Sequence, residues 1–377
     1  MKQRLTDYLL ANADEQLQLL QQIVTIPAPS GMEGERAQFI AEWLAPYGEV
    51  AVDEANSAVF TGFDTGGDNA LIICAHIDTV FPLSQPLVPV VEDGWYCCPG
   101  AGDNAANVAA MMLLIKALAE LGAKPARPVI FAAVSCEEGL GNLKGTKTLL
   151  EKYGSRVTDF ISLDGGFGCI VNDAVGSHRY RVSAGTQGGH SFGNFGRRNA
   201  IAALAELICE LYKIQPPTEA YTTYNVGTIE GGTTVNTIAA HAEMLYEYRS
   251  ESRACLAEME RRFHALVAQA NSDPEAEITA EVLGLRPCSG DVPADRLAAL
   301  TALAKDVIRE VLPQQEIVTE ASSTDCNIPL SLDIPAVCFG LCESRGAHTD
   351  KDRVLLSSLQ TGLEVGAALM SRFFTLT

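Results

Sequence analysis

The sequence predicts an α/β protein: a central, mostly parallel sheet with crossover helices, interrupted by a smaller inserted α+β module. Three observations carry that expectation. From Ala58 to Leu163, apolar strand-like runs alternate with helical periodicity, the signature of a sheet with crossover helices. Near Ser177 the texture changes to a βα-ββ-αβ order, which suits a small module with helices on one sheet face. After Pro287 the first texture returns. At 377 residues the chain is longer than one hydrophobic core usually covers. The expected division is therefore 1–176 and 285–377 for the main domain, with 177–284 as an inserted smaller module.

The elements follow in order. Helical periodicity runs from about Leu5 to Val24 and stops before Pro27. A loop, Pro27-Ala28-Pro29-Ser30-Gly31, leads to a second helix over about Glu33–Leu44. Short strands are expected near Val50–Asp53 and Ala58–Phe63. Leu71–His76, bounded by Gly66-Gly67 and Pro82, is an unbroken apolar run and reads as a buried strand. Asn104–Leu121 and Leu143–Tyr153 are helical, with strands at Pro128–Ser135 and Asp159–Leu163 between and after them. In the insertion, a strand at His178–Ala184 precedes the glycine-rich Gly185–Gly189. A helix at Ala200–Tyr212 comes next, then strands at Thr222–Ile229 and Ala240–Arg249 around Gly231-Gly232. A helix at Ser252–Ala270 and a strand at Glu277–Leu283 close it. The last part reads as a helix over Pro293–Leu312, a strand at Ala336–Phe339 and a long helix over Val354–Phe373.

Composition narrows the function. Hydrophobic residues make up 47% and charged residues 20%, as in an ordinary globular protein. A formal net charge of −20 argues against nucleic acid and anionic membrane as partners, although carboxylates gathered around metal ions would lessen the outward charge. Eleven cysteines are scattered with no C-x-x-C pair, and Cys74, Cys136, Cys169 and Cys338 sit in or beside apolar runs like small buried hydrophobes. The start, Met1-Lys2-Gln3-Arg4-Leu5, lacks an apolar leader core, and no run is long enough to span a bilayer. The expectation is a reduced, cytoplasmic protein.

The chemistry begins at the strand ending in His76-Ile77-Asp78. Residues i and i+2 of an extended chain share a face, so His76 and Asp78 point together at the strand's carboxyl end, where open α/β sheets hold ligands. A metal-bound imidazole usually gives its other ring proton to a carboxylate, and Asp78 is placed to accept it. Similar residues mark other ends: Asp103 before a helix, Glu137-Glu138 after Val129–Cys136, Asp164 after Phe160–Leu163, and His348 after the strand holding Cys338. Each alone also reads as a helix cap, a solvated turn or a surface-loop residue. Together they place imidazoles and carboxylates at one rim, where unpaired carboxylates would repel and divalent cations remove that cost.

In this order, His76-x-Asp78, Gly100-x-Gly102-Asp103-Asn104, Glu137-Glu138-Gly139, Asp164-Gly165-Gly166, Gly188-Gly189-His190-Ser191 and Gly346-x-His348-Thr349, the chain resembles the peptidase T / acetylornithine deacetylase family of dinuclear zinc hydrolases. The likeness covers nearly the whole chain and is closest in motifs to peptidase T-like members. Gly231–Asn236, Tyr248-Arg249-Ser250, Arg286-Pro287 and Ser323–Asn327 add to it. It implies a zinc-exopeptidase-like catalytic domain with two Zn2+ per chain, for which Co2+ or Mn2+ would substitute. His76 and Asp164 would hold one ion, Glu138 and His348 the other, and Asp103 would bridge. Glu137 would be the general base, taking a proton from water whose pKa zinc lowers to ~7 and passing it to the leaving amine. Asp78 would orient His76. The inserted module resembles the family's lid. His190 would donate to the tetrahedral oxyanion, supplied across a homodimer by the partner's lid, and Asn236 and Arg249 would hold the substrate's polar end. Two segments depart from the pattern. Asp103-Asn104-Ala105-Ala106-Asn107 stands where many relatives have Asp-Asp-Lys-x-Gly, and His348-Thr349-Asp350-Lys351-Asp352 where they often have His-Thr-Leu-Asp-Glu.

Three functions compete. The first is a metallo-exopeptidase acting on di- or tripeptides. The second is an N-acyl-amino-acid deacylase with the same metal chemistry and a different substrate pocket. The third is a non-catalytic metal-binding protein, against which the Glu137 carboxylate argues.

Overall fold

The computed structural model describes residues 1–376. It forms two compact units, Met1–Ala174 with Gly290–Thr377, and Val175–Ser289.

The first unit is built on an eight-stranded sheet. From edge to edge its strands are Val50–Val52, Ala58–Phe63, Val129–Val134, Ala70–His76, Val157–Ser162, Ala336–Cys338, Cys169–Ala174 and Val318–Ser322. The four from Val129–Val134 to Ala336–Cys338 run parallel. Ala70–His76 and Val129–Val134 are buried at every position, because helices cover both sheet faces. Alternate residues therefore serve two cores. Leu71, Ile73, Ala75, Phe131 and Ile161 join one with the helices Ala13–Thr25, Gly34–Leu44, Ala106–Glu120 and Leu356–Met370. Ile72, Cys74, Ile130, Ala132 and Phe160 join the other with Leu149, Leu150 and Leu330. The closing helix approaches without side chains at two points. A Cβ on Gly362 would lie 1.7 Å from the Leu341 carbonyl oxygen, and one on Gly366 would lie 2.8 Å from Leu114.

The first helix divides. Lys2–Ala11 and Ala13–Thr25 are separate helices, because the Asn12 amide turns back to the Tyr8 carbonyl (2.8 Å) and competes with the helical ladder. A small second sheet orders Ser344–Arg345, Arg353–Leu355, Trp95–Cys97 and Val90–Glu92. Its strands pair antiparallel, and the Arg345 and Arg353 guanidinium groups lie 5.0 and 4.9 Å from the centre of the Trp95 ring. Val354 and Leu355, expected in the last helix, belong to this sheet instead.

The second unit is an antiparallel sheet, ordered Thr222–Gly231, His241–Ser250, Gly176–Gly185, Glu277–Arg286. Two helices, Ala200–Leu211 and Arg253–Ala270, pack Leu204, Leu207, Met259 and Phe263 against Val182, Met244, Tyr246 and Tyr248. His241–Ser250 alternates buried and partly exposed positions, as a sheet covered on one face should. All eleven cysteines are free thiols: eight are buried, Cys97 and Cys169 are half-buried, and Cys209 is exposed. Among the described residues no helix is long and apolar enough to cross a membrane.

Candidate metal centre and active site

His76 is the last residue of the central strand and is buried, and its two neighbouring strands deliver the other groups. Glu137 and Glu138 follow Val129–Val134, and Asp164 follows Val157–Ser162. Asp103 sits in a wide turn over Ala101–Ala105, where it and Asn104 leave helical backbone just before the helix Ala106–Glu120. His348 does not sit on the rim itself. It stands in the hairpin between Ser344–Arg345 and Arg353–Leu355, and the small sheet carries it in.

Asp103 is central to the arrangement. One carboxylate oxygen lies 3.1 Å from His76 Nε2 and the other 3.2 Å from His348 Nε2. Asp164 Oδ1 is 3.7 Å from His76 Nε2, and Glu138 Oε1 is 2.9 Å from His348 Nε2. Two groupings able to hold a cation therefore share Asp103: His76/Asp103/Asp164 and Asp103/Glu138/His348. A third, His76/Glu137/Glu138, brings the Glu137 carboxylate within reach of the same centre.

The charges fit a cation. Burial opposes charging His76, yet the Asp164, Asp103 and Asp78 carboxylates raise its pKa well above the ordinary imidazole value. His348 is pushed up to about 9, chiefly by its bond to Asp103, with burial opposing and Glu138 assisting. Burial, then the Asp103 charge, pushes Glu138 up to about 7. Asp103 is held low against its own burial by the two imidazoles. Left to themselves, then, the carboxylates draw protons onto both rings. Divalent cations would take the place of those protons on a donor set of imidazole nitrogens and carboxylate oxygens.

Asp78 serves further neighbours besides the expected one. His76 Nδ1 is 3.2 Å from the Asp78 backbone carbonyl and 3.6 Å from its carboxylate, so the carbonyl is the nearer acceptor. The Asp78 carboxylate also accepts from the backbone N–H groups of Glu137 (2.9 Å) and Glu138 (2.8 Å) and from Ser30 Oγ (2.6 Å). The ring is still fixed: Nδ1 donates to a carbonyl and Nε2 faces the carboxylates.

Sequence reasoning did not single out the groups behind these residues. The buried Arg36 donates to the carbonyls of Ile26 and Ile77 (2.7 Å to Ile77), tying a helix to the His76–Asp78 strand end. Asn104 Nδ2 donates to the Leu163 carbonyl (2.9 Å), while Asn107 donates to Asn104 and Gly165 and accepts from Leu341 N–H (2.7 Å). The two asparagines that depart from the family pattern thus brace the turn carrying Asp103 against the loop carrying Asp164. Asp352 is buried at the foot of the His348 hairpin and accepts from Asp103 N–H (3.3 Å). A polar residue in an otherwise apolar segment was the available signal, but it is shared with any loop.

Three expected residues lie in the second unit. His190 is exposed, and its Nδ1 accepts from the backbone N–H groups of Phe192 and Gly193, both at 3.2 Å. Its proton is therefore on Nε2. Exposed Asn236 accepts from Thr234 Oγ1 (2.9 Å), and its carbonyl accepts from Ser191 N–H. The Arg249 guanidinium is already engaged by Glu247 at 3.0 and 3.1 Å.

Fold and site define an α/β protein with candidate metal-ligand groups gathered by the ends of its parallel strands. Residues 72–372 match the model of Peptidase family M20/M25/M40, and the chain belongs to that family. It is 23% identical over 382 residues to the uncharacterized protein YqjE of Bacillus subtilis, covering 96% of this chain and 99% of that one. It is 26% identical over 292 residues to succinyl-diaminopimelate desuccinylase of Paraburkholderia xenovorans, covering 71% and 72%. In fold it is similar to a tripeptidase from Staphylococcus aureus, with a TM-score of 0.75 and 22% identity over 96% and 98% of the two chains.

Proposed function

We propose that this chain is a zinc-dependent exopeptidase that hydrolyses an amide bond in di- or tripeptides. The observation that carries the proposal is the pair of ligand groupings sharing Asp103, with Glu137 in reach of the same centre. His76 and Asp164 would hold one ion, Glu138 and His348 the second, with Asp103 common to both. When bound, the cations polarise the amide carbonyl and make water acidic enough to lose a proton near neutrality. Glu137 accepts that proton and returns it to the departing amine, so that water adds to the carbonyl carbon and the C–N bond breaks. His190, with its proton on Nε2, would donate to the developing oxyanion.

We further propose that Val175–Ser289 acts as a lid and pairs two chains into a homodimer, each lending His190 to its partner's site. Asn236 and Arg249 would hold the substrate's polar end, Arg249 by exchanging Glu247 and Asn236 by exchanging Thr234 for substrate groups.

The desuccinylase relative favours a second reading, removal of an acyl group from an N-acyl amino acid. Both readings share the metal chemistry, so substrate decides. Zinc-loaded protein should release free amine from trialanine and related short peptides faster than from N-succinyl or N-acetyl amino acids. The reverse preference would establish the deacylase, and no turnover of either class by metal-loaded protein would remove both.

A further inference from the structure

The turn that presents Glu137 and Glu138 is held by its backbone. Three consecutive N–H groups are received by two buried carboxylates from other parts of the chain. Glu33 Oε1 accepts from Cys136 (3.1 Å), and the two oxygens of Asp78 accept from Glu137 (2.9 Å) and Glu138 (2.8 Å). The turn needs such holding, because Cys136 has φ +61, a left-handed backbone that a residue with a Cβ keeps only where its surroundings over-determine it. Its carbonyl is also committed, to Leu143 N–H at 2.9 Å.

Glu33 is an expensive way to supply one acceptor. Its side chain is 0% exposed. Oε1 collects Gly31 N–H (2.7 Å), Cys136 N–H and the Cys136 thiol (3.4 Å), while Oε2 has no hydrogen-bond partner among the described residues. A buried carboxylate with one orphaned oxygen costs stability unless it serves something else. It reaches across the chain to the residue immediately ahead of Glu137. The same loop supplies Ser30, whose Oγ lies 2.6 Å from Asp78 and 3.0 Å from the Glu138 carbonyl.

We infer that Glu33 is a positioning residue for catalysis: by fixing the Cys136 N–H it sets where the Glu137 carboxylate points. The inference rests on the reading of Glu137 as the base. Misplacement of a reacting group by about 1 Å costs ~10²-fold in rate. Glu33→Met keeps length and removes the acceptor, Glu33→Gln keeps the acceptor, and Glu33→Asp withdraws it part way.

The test compares these variants with Glu137→Gln on trialanine, alongside amide hydrogen exchange over residues 134–141 read by mass spectrometry. Glu33→Met should lose ~10–100-fold in kcat with KM and zinc content within about twofold of the parent. Its 134–141 segment should exchange faster while the closing helix does not. Glu33→Asp should show the same pattern more weakly, and Glu33→Gln should stay near the parent in both readouts. Adding Glu33→Met to Glu137→Gln should cost nothing more, because the group being positioned is gone. Parental exchange in Glu33→Met, an additive double variant, a loss that follows zinc content, or a Glu33→Met chain that does not fold would each overturn the assignment. An active Glu137→Gln would instead remove the base reading and leave the exchange result to judge the positioning alone.

Discussion

At the scale of single residues, Glu137 and Glu138 are neighbours in the chain with separate expected tasks. Glu137→Gln should lower kcat by ~10²–10⁴ and leave the metal content unchanged, because a base is lost and no ligand. Glu138→Gln should release one ion in a dialysis-and-metal-analysis experiment, since its Oε1 lies against His348 Nε2 in one of the groupings around Asp103. Because Glu137 also falls in a grouping with His76 and Glu138, loss of metal from Glu137→Gln would reassign it as a ligand. The same residues fix a pH dependence. Ligands bind metal only when deprotonated. His348 is pushed up to about 9 and Glu138 up to about 7, so both carry a proton for much of the time near neutrality. Metal uptake must expel those protons. The apparent affinity should therefore rise as pH climbs from 6 to about 9, and calorimetry in buffers of different ionisation enthalpy should show net proton release. An affinity flat across that range would contradict these ionisations.

At the scale of elements, the approach of the closing helix to the Leu341 loop depends on Gly362. Gly362→Ala would drive a Cβ to 1.7 Å from a backbone oxygen, so the helix must shift. Overpacking of this kind costs ~1–3 kcal/mol or more, which urea unfolding would register as a lower midpoint. Gly34→Ala, whose nearest contact would be 3.5 Å away at a helix start, should be neutral. Which elements could be read from the sequence follows from the same packing. The unbroken apolar runs at Leu71–His76 and Val129–Val134 announce strands buried on both faces, and Asn199 and Ser252 cap helices that begin where the periodicity does. Cys169–Ala174 and Val318–Ser322 lie towards the sheet edge, with half-exposed, mixed sequences that give no period-two signal. The site shows the same divide. His76, Glu138 and Asp164 stand out because an imidazole or carboxylate follows an apolar run, Asp103 because it precedes a helix, and His348 because it comes after the strand holding Cys338. The bonds from Glu33 and Asp78 to the Glu137 turn join positions 103 and 59 residues apart, and no local pattern records them.

At the scale of the whole molecule, the proposed dimer makes a complementation prediction. His190→Ala and Glu137→Gln should each be inactive alone. Mixed under conditions that let subunits exchange, they form heterodimers with one site that has both groups intact, so activity should reappear. Verified heterodimers that stay inactive would rule out His190 acting across the dimer, and an active, strictly monomeric enzyme would remove the basis for it. Sedimentation before mixing supplies the second result.

The thiols described above give the molecule a built-in optical ruler. Cys209 is the one exposed cysteine and lies on the Ala200–Leu211 helix of the inserted unit. The chain has two tryptophans, Trp43 and Trp95, and both belong to the other unit. A maleimide dye that absorbs indole emission would attach first at Cys209, and its excitation by the indoles would depend on the distance between the units. Energy transfer recorded while zinc and a slowly cleaved peptide are added would follow the separation of the two units in solution, on the native sequence and without an introduced cysteine.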